Sequence, residues 1–245
     1  HDRIRESILE AVPPAELRRL HARAAAHLVE HDGELPSAWP AITHHFEQAG
    51  DDAHALEYAL RAARQASRGH ADGAALELYR TARRVAGRGG LPVSDELWEL
   101  EGDAHAVLGH YAEAVESYGH RVRRIHDPAE RAGLLSKVGL IEYKQGNYRR
   151  AIEVLEDVLT TIGLRGARVF LPPALRMLVS VVASLLPLPR WRGTTRQAEV
   201  AIRTRTLLAE CNFMAGQTMS ASHHSIAAAN TARRLGPNHE SVRAL

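Results

Sequence analysis

Two stretches of the chain repeat each other at an offset of 37 residues, and this periodicity restricts the fold more than any single residue does. Gly102, Gly109, Tyr111 and Ala114 recur as Gly139, Gly146, Tyr148 and Ala151, within GDAHAVLGHYAEAVESY and GLIEYKQGNYRRAIEVL. Self-similarity at such a period marks a chain of stacked supersecondary units, each burying a face against the next. Two antiparallel helices approach closely only where side chains are small. Gly102 with Ala114, and Gly139 with Ala151, are therefore expected at helix crossings, with Tyr118 and Leu155 filling the space toward the next unit.

The flanking sequence extends the helical reading. Apolar spacing and Gly/Pro punctuation predict helices over about 13–30, 36–48, 52–68, 72–87, 94–108, 111–124, 128–145, 148–162, 196–214 and 217–235. Ser94 is a plausible N-cap for the helix that carries Trp98. Residues 1–10 form a further short amphipathic stretch, and 238–245 begins another helix. Between Gly163 and Thr195 four prolines and the run LPPALRMLVSVVASLLPLP break the rhythm. Aromatics make up only 5% of the chain, so Ala and Leu must do most of the packing. No long Val/Ile/Thr alternation argues for strands. The expected fold is all-α: a right-handed solenoid of about six antiparallel helix pairs with an irregular Pro-rich insertion.

Charge and cysteine content bound the chemistry. The single Cys211 excludes an internal disulfide and a multi-thiolate zinc site, which suits a reducing cytoplasm. No signal peptide opens the chain, and His1 and Leu245 look like cuts within a larger protein. Arg supplies 29 of the 31 basic residues, which suggests a GC-rich bacterial genome. The net charge of +2 hides an uneven distribution: residues 161–207 hold eight Arg and one Glu. No aromatic–basic interleaving forms a stacking platform, so nucleic-acid binding is not expected.

Candidate catalytic chemistry is thin. In HLVEH, His27 and His31 share a helix face at i and i+4, a spacing that zinc ligands use. Asp32-Gly33 ends the helix there, and five-residue patterns arise easily among 15 histidines. His44-His45 and His223-His224 point about 100° apart on a helix and do not chelate from one face. Cys211 reads as a small buried residue. Ser220, Ser222 and Ser225 near His223 lack a nucleophile elbow, and no phosphate-binding GxxxxGK[ST] loop occurs. Neither metal, cofactor nor catalytic residue is expected.

At Trp98, Gly102, Gly109, Tyr111, Ala114 and Tyr118 the chain resembles a tetratricopeptide repeat. The second copy has Leu135 in the early aromatic position, and the period is three residues longer than the usual 34. Ala75, Tyr79 and Ala82 fit the second helix of an earlier, weaker copy. A longer resemblance, over HDRIRESIL, PPAELRRLHARAAAHL, ITHHFEQAGDDAHALEYALRAAR and AALELYRTA, is to the bacterial signal-transduction ATPases with numerous domains. It implies the tail of a winged-helix segment at 1–12, tetratricopeptide-like helices at 13–163, an apolar–basic insertion at 164–195 and further helices at 196–245.

These resemblances imply a non-catalytic regulatory arm that binds a protein partner or other domains of its parent chain. Groove positions would be Glu99, Asp103, Ser136, Leu140, Tyr143 and Lys144. Glu99 and Asp103 put negative charge where a carboxylate clamp needs positive, which favours a basic or neutral peptide. A small-molecule effector inside the superhelix is the alternative. The insertion, with Arg168, Arg176, Arg190, Trp191 and Arg192, reads as packed connector, as a dock for a partner, or as contact with an anionic membrane surface. Its uncharged run from Met177 to Pro189 is too short to span a bilayer.

Overall fold

The computed structural model describes residues 12–164, 171–187, 190–191 and 193–235. The expected stretch at 1–10 and helix at 238–245 lie outside them. Among the described residues there are eleven α-helices and no strand. They are α1 (Pro14–Asp32), α2 (Trp39–Ala49), α3 (Asp52–Arg68), α4 (Asp72–Gly89), α5 (Glu96–Val107) and α6 (Tyr111–Val122). Then follow α7 (Pro128–Lys144), α8 (Tyr148–Thr161), α9 (Pro173–Leu185), α10 (Thr195–Met214) and α11 (Thr218–Leu235). The chain divides within α6 into two compact units, His1–Ser117 and Tyr118–Leu245.

The connections repeat one device. Gly109 and Gly146 have φ of 79° and 80°, the left-handed conformation that closes a helix at low steric cost only when Cβ is missing. In each, the following N–H reaches back to a helical carbonyl: His110 N to His105 O, and Asn147 N to Glu142 O, both 2.9 Å. Five residues after each such turn an alanine is sealed into a helix interface, Ala114 and Ala151, both 0% exposed. The structure extends this beyond the two copies that are plain in the sequence. Gly50 precedes Ala55, His70 precedes Ala75 and Gly216 precedes Ala221, every turn residue with positive φ and every alanine buried. His70 takes the left-handed conformation without being glycine, at φ 57°.

In the first unit, Ala59 and Ala63 of α3 meet Ala75, Tyr79 and Ala82 of α4, and Leu97 of α5 completes the cluster. Small residues at the crossing let the two backbones approach, while Tyr79 fills the remaining volume and reaches Ser67 Oγ with its hydroxyl at 3.3 Å. Across the surface, Arg84 pairs with Glu47 and Arg88 with Asp52, tying α4 to α2 and to the start of α3. Ser94 assists the start of α5, its Oγ accepting from Glu96 N at 3.2 Å.

The second unit shows what the Pro-rich segment does. The expected irregular insertion contains a 13-residue helix, α9. It does not interrupt the stack. α10 packs directly on α8 and α7, and Leu208 and Cys211 close over Ala151, Leu155 and Leu159. A Cβ built on Gly139 would stand 2.6 Å from Leu155 Cδ2, so Leu155 fills its own pair's crossing as well as facing α10. α9 is displaced outward and lies against α11. α10 restarts at a reciprocal capping box. Thr194 Oγ1 accepts from Gln197 N at 3.2 Å, and Thr194 N donates to Gln197 Oε1 at 3.0 Å.

Candidate functional site: the cleft between α7 and α10

Helix α7 starts where Asp127 accepts a hydrogen bond from Glu130 N at 2.9 Å, with Pro128 in its first turn. Gly133, Ser136, Leu140 and Tyr143 follow at steps of three and four and so share one face. On α10, Glu199, Arg203, Thr206 and Glu210 are spaced in the same way. The two faces enclose an open cleft of about 600 Å³. Its walls are Gly133, Ser136, Lys137 and Leu140 on one side and Glu199, Arg203, Leu207 and Glu210 on the other.

Polar contacts fix the geometry. Ser136 Oγ donates to Ala132 O at 2.9 Å, so at its 3.1 Å contact with Thr204 Oγ1 the threonine hydroxyl is the donor. This bond pins α7 to α10 across 68 residues of sequence. Lys137 stands over the Tyr118 ring with Nζ 5.6 Å from its centroid. The Glu210 carboxylate, together with partial burial, holds the Tyr143 phenol above its ordinary pKa. The result is an aliphatic lining from Leu140 and Leu207, with Lys137 on the α7 side and Glu199, Arg203 and Glu210 on the α10 side.

Of the groove residues expected from the sequence, Ser136 and Leu140 line this cleft. Tyr143 is linked to its rim through Glu210, and Lys144 is exposed at the C-terminal end of α7. Glu99 and Asp103 are half-buried on α5, in the other unit. Lys137 and the whole α10 wall were missed; the 3–4 spacing along α10 was the available signal, but nothing local says which helix it faces.

The repeat residues fall in the interior or at turns. Gly102, Ala114, Tyr118, Gly139 and Ala151 are buried, and Tyr111 and Tyr148 open α6 and α8. Trp98 carries the Arg83 guanidinium 4.6 Å above its ring. Arg83 also pairs at 3.0 Å with Glu101, which is 1% exposed and whose carboxyl burial pushes above its ordinary value. In the insertion, Arg176 packs toward α11, Arg190 is exposed, and Trp191 lies under Arg234 at 5.2 Å. Arg168 and Arg192 lie outside the described residues. The His27 and His31 ring centroids lie 4.1 Å apart with the rings tilted by 37°, and no group of three potential metal ligands occurs among the described residues. Cys211 is fully buried, and burial pushes its thiol up to about 11.

No protein-family model and no curated protein sequence matches the chain. Solved structures do. BtubC (BKLC) from P. vanneervenii superposes with a TM-score of 0.56 at 14% identity, over 93% of this chain and 94% of that one. The MamA protein gives 0.52 at 12% identity, over 89% and 93%. The nearly identical TPR-like repeats of a Podosopora anserina protein of kinesin-light-chain type give 0.50 at 16% identity, over 92% and 99%. These likenesses and the stacked helix pairs establish a TPR-like α-solenoid fold.

Proposed function

We propose that this chain is a non-catalytic interaction module that receives an extended peptide segment of a protein partner, or of another domain of its parent chain, in the α7–α10 cleft. The observation that carries this reading is the cleft itself: an aliphatic lining flanked by charges of both signs, between two helices pinned to each other by the Ser136–Thr204 bond. TPR-like folds generally serve protein–protein interaction, and the family resemblance in the sequence suggests a regulatory arm of a bacterial signalling ATPase. A bound segment would act by favouring one docking pose of the arm over another, and only by as much as its affinity differs between them. Small-molecule sensing is the second reading, since about 600 Å³ lies within the range of ligand pockets.

Selection of random twelve-residue peptides on the 245-residue protein, followed by calorimetry, tests the proposal. Selected peptides should lose at least tenfold in affinity, about 1.4 kcal/mol, on Leu140→Arg or Leu207→Arg. Peptides that bind both variants unchanged would remove the cleft as the site. A metabolite that raises the melting temperature, in the absence of any selected peptide, would transfer the assignment to a small effector.

A further inference from the structure

Helix α9 is amphipathic in the inverted sense. Arg176, Ser180 and Ser184, at i, i+4 and i+8, form its polar stripe, and this stripe faces the protein. His223 Nδ1 of α11 lies 2.8 Å from Ser180 Oγ and 3.2 Å from Arg176 O. Asn230 Nδ2 donates to Ser180 O at 3.1 Å, and Arg233 donates to Ser184 O. The opposite face holds Leu175, Leu178, Val181, Val182, Leu185 and Leu186, all exposed, Leu185 to 80%. A helix on the surface of a soluble protein ordinarily turns its apolar stripe inward; here the hydrogen bonds of α11 hold it outward.

The charge around this stripe is of one sign. No Asp or Glu occurs from residue 158 to 198, a stretch with six Arg, nor anywhere in α11, whose last turn carries Arg233 and Arg234. The cations gather at the end where Leu185 and Leu186 protrude. Arg233 bonds the Ser184 carbonyl, Arg234 covers Trp191, and Arg190 is exposed beside that indole. The exposed residues of 172–187 carry no hydrogen-bonding side chain, whereas protein interfaces average about one hydrogen bond per 100–200 Å². A bilayer asks for none. Leu/Val insertion flanked by Arg and an amphipathic Trp is the chemistry of attachment to anionic lipid headgroups. α9 cannot span: 13 residues cover about 20 Å against a hydrocarbon core of about 30 Å.

We infer that α9 is an interfacial helix that seats this chain on an anionic membrane surface, its Leu/Val stripe in the acyl boundary and Arg190, Arg233 and Arg234 at the phosphates. The site is separate from the α7–α10 cleft and does not depend on the peptide-binding reading.

Co-sedimentation of the full chain with vesicles tests it. Vesicles of phosphatidylcholine with 30 mol% phosphatidylglycerol, compared with phosphatidylcholine alone, should retain the protein at about 25 mM salt and lose it at least tenfold at about 300 mM. Binding should blue-shift Trp191 emission in a Trp39→Phe/Trp98→Phe background. Leu178→Asp/Val182→Asp should abolish retention with an unchanged circular dichroism melt, because both side chains are solvent-facing. Arg190→Glu/Arg234→Glu should weaken it and flatten the salt dependence, while Leu140→Arg should leave it intact. No retention on anionic vesicles at low salt would overturn the inference. So would retention that survives the Leu178/Val182 change, or a concentration-dependent dimer lost with that change, which would assign the stripe to a second copy of the chain.

Discussion

His224 makes a sharp test of how the second unit is packed. It is 6% exposed on α11, its Nδ1 lacks a hydrogen-bond partner, and burial, reinforced by His223, Arg205 and Arg176, lowers its pKa from 6.5 to about 3. The folded state therefore keeps the ring neutral over a range in which the unfolded chain protonates it. Between pH 6.5 and about 3 the unfolded state binds the extra proton, so stability falls as pH falls through that window and is fully present above 6.5. Each pH unit costs about 1.4 kcal/mol. At pH 4.5, two units below the unfolded value, this one side chain should subtract about 3 kcal/mol, roughly a hundredfold in the folding equilibrium. Urea denaturation by circular dichroism at pH 7.5 and 4.5 measures it, on the parent chain and on His224→Gln. Replacing the ring shifts stability by an amount that does not vary with pH, so the difference between the two pH values isolates the proton. His21, His45 and His105, whose pKa values burial also lowers, act with the same sign. Glu101, raised by burial, acts in the opposite direction; all four are common to both proteins and cancel. Equal loss of stability in both, or a His224 imidazole that titrates near 6.5 by NMR in the folded chain, would refute the argument.

Two further outcomes concern the α7–α8–α10 core. Gly139→Ala should destabilise the chain by about 1–3 kcal/mol, since the new Cβ would stand 2.6 Å from Leu155 Cδ2, outweighing alanine's better helix propensity. The penalty should shrink in a Leu155→Ala background; additive effects in that double-mutant cycle would show that the two residues do not meet. Cys211, fully buried with its thiol held at about 11, should react with a disulfide reagent at pH 8 only as the fold opens. Full labelling in guanidinium but under a tenth of the free-thiol rate in buffer is expected, and rapid native labelling would contradict the packing.

The helices and their turns were legible because their signals are local. Gly109 and Gly146 lie at turns that need positive φ, Pro128 and Asp127 start α7, and the alternation of small and large residues at Gly139, Ala151 and Leu155 encodes a close crossing within one pair. Each signal acts over a few residues, through backbone sterics or side-chain volume, so a sequence carries it without knowledge of the rest of the chain. What lies beyond that range was decided by tertiary packing. That α10 follows α8 in the stack rests on Leu208 and Cys211 fitting over Leu155 and Leu159, a match between segments some fifty residues apart. The cleft joins Ser136 to a wall on α10, so of the twelve residues that line it only Ser136 and Leu140 could be named beforehand. α9 carries the same lesson in reverse. Its sequence has a polar and an apolar stripe, and periodicity alone assigns the apolar one to the core. Only the carbonyls and hydroxyls that α11 engages through His223, Asn230 and Arg233 turn the polar stripe inward.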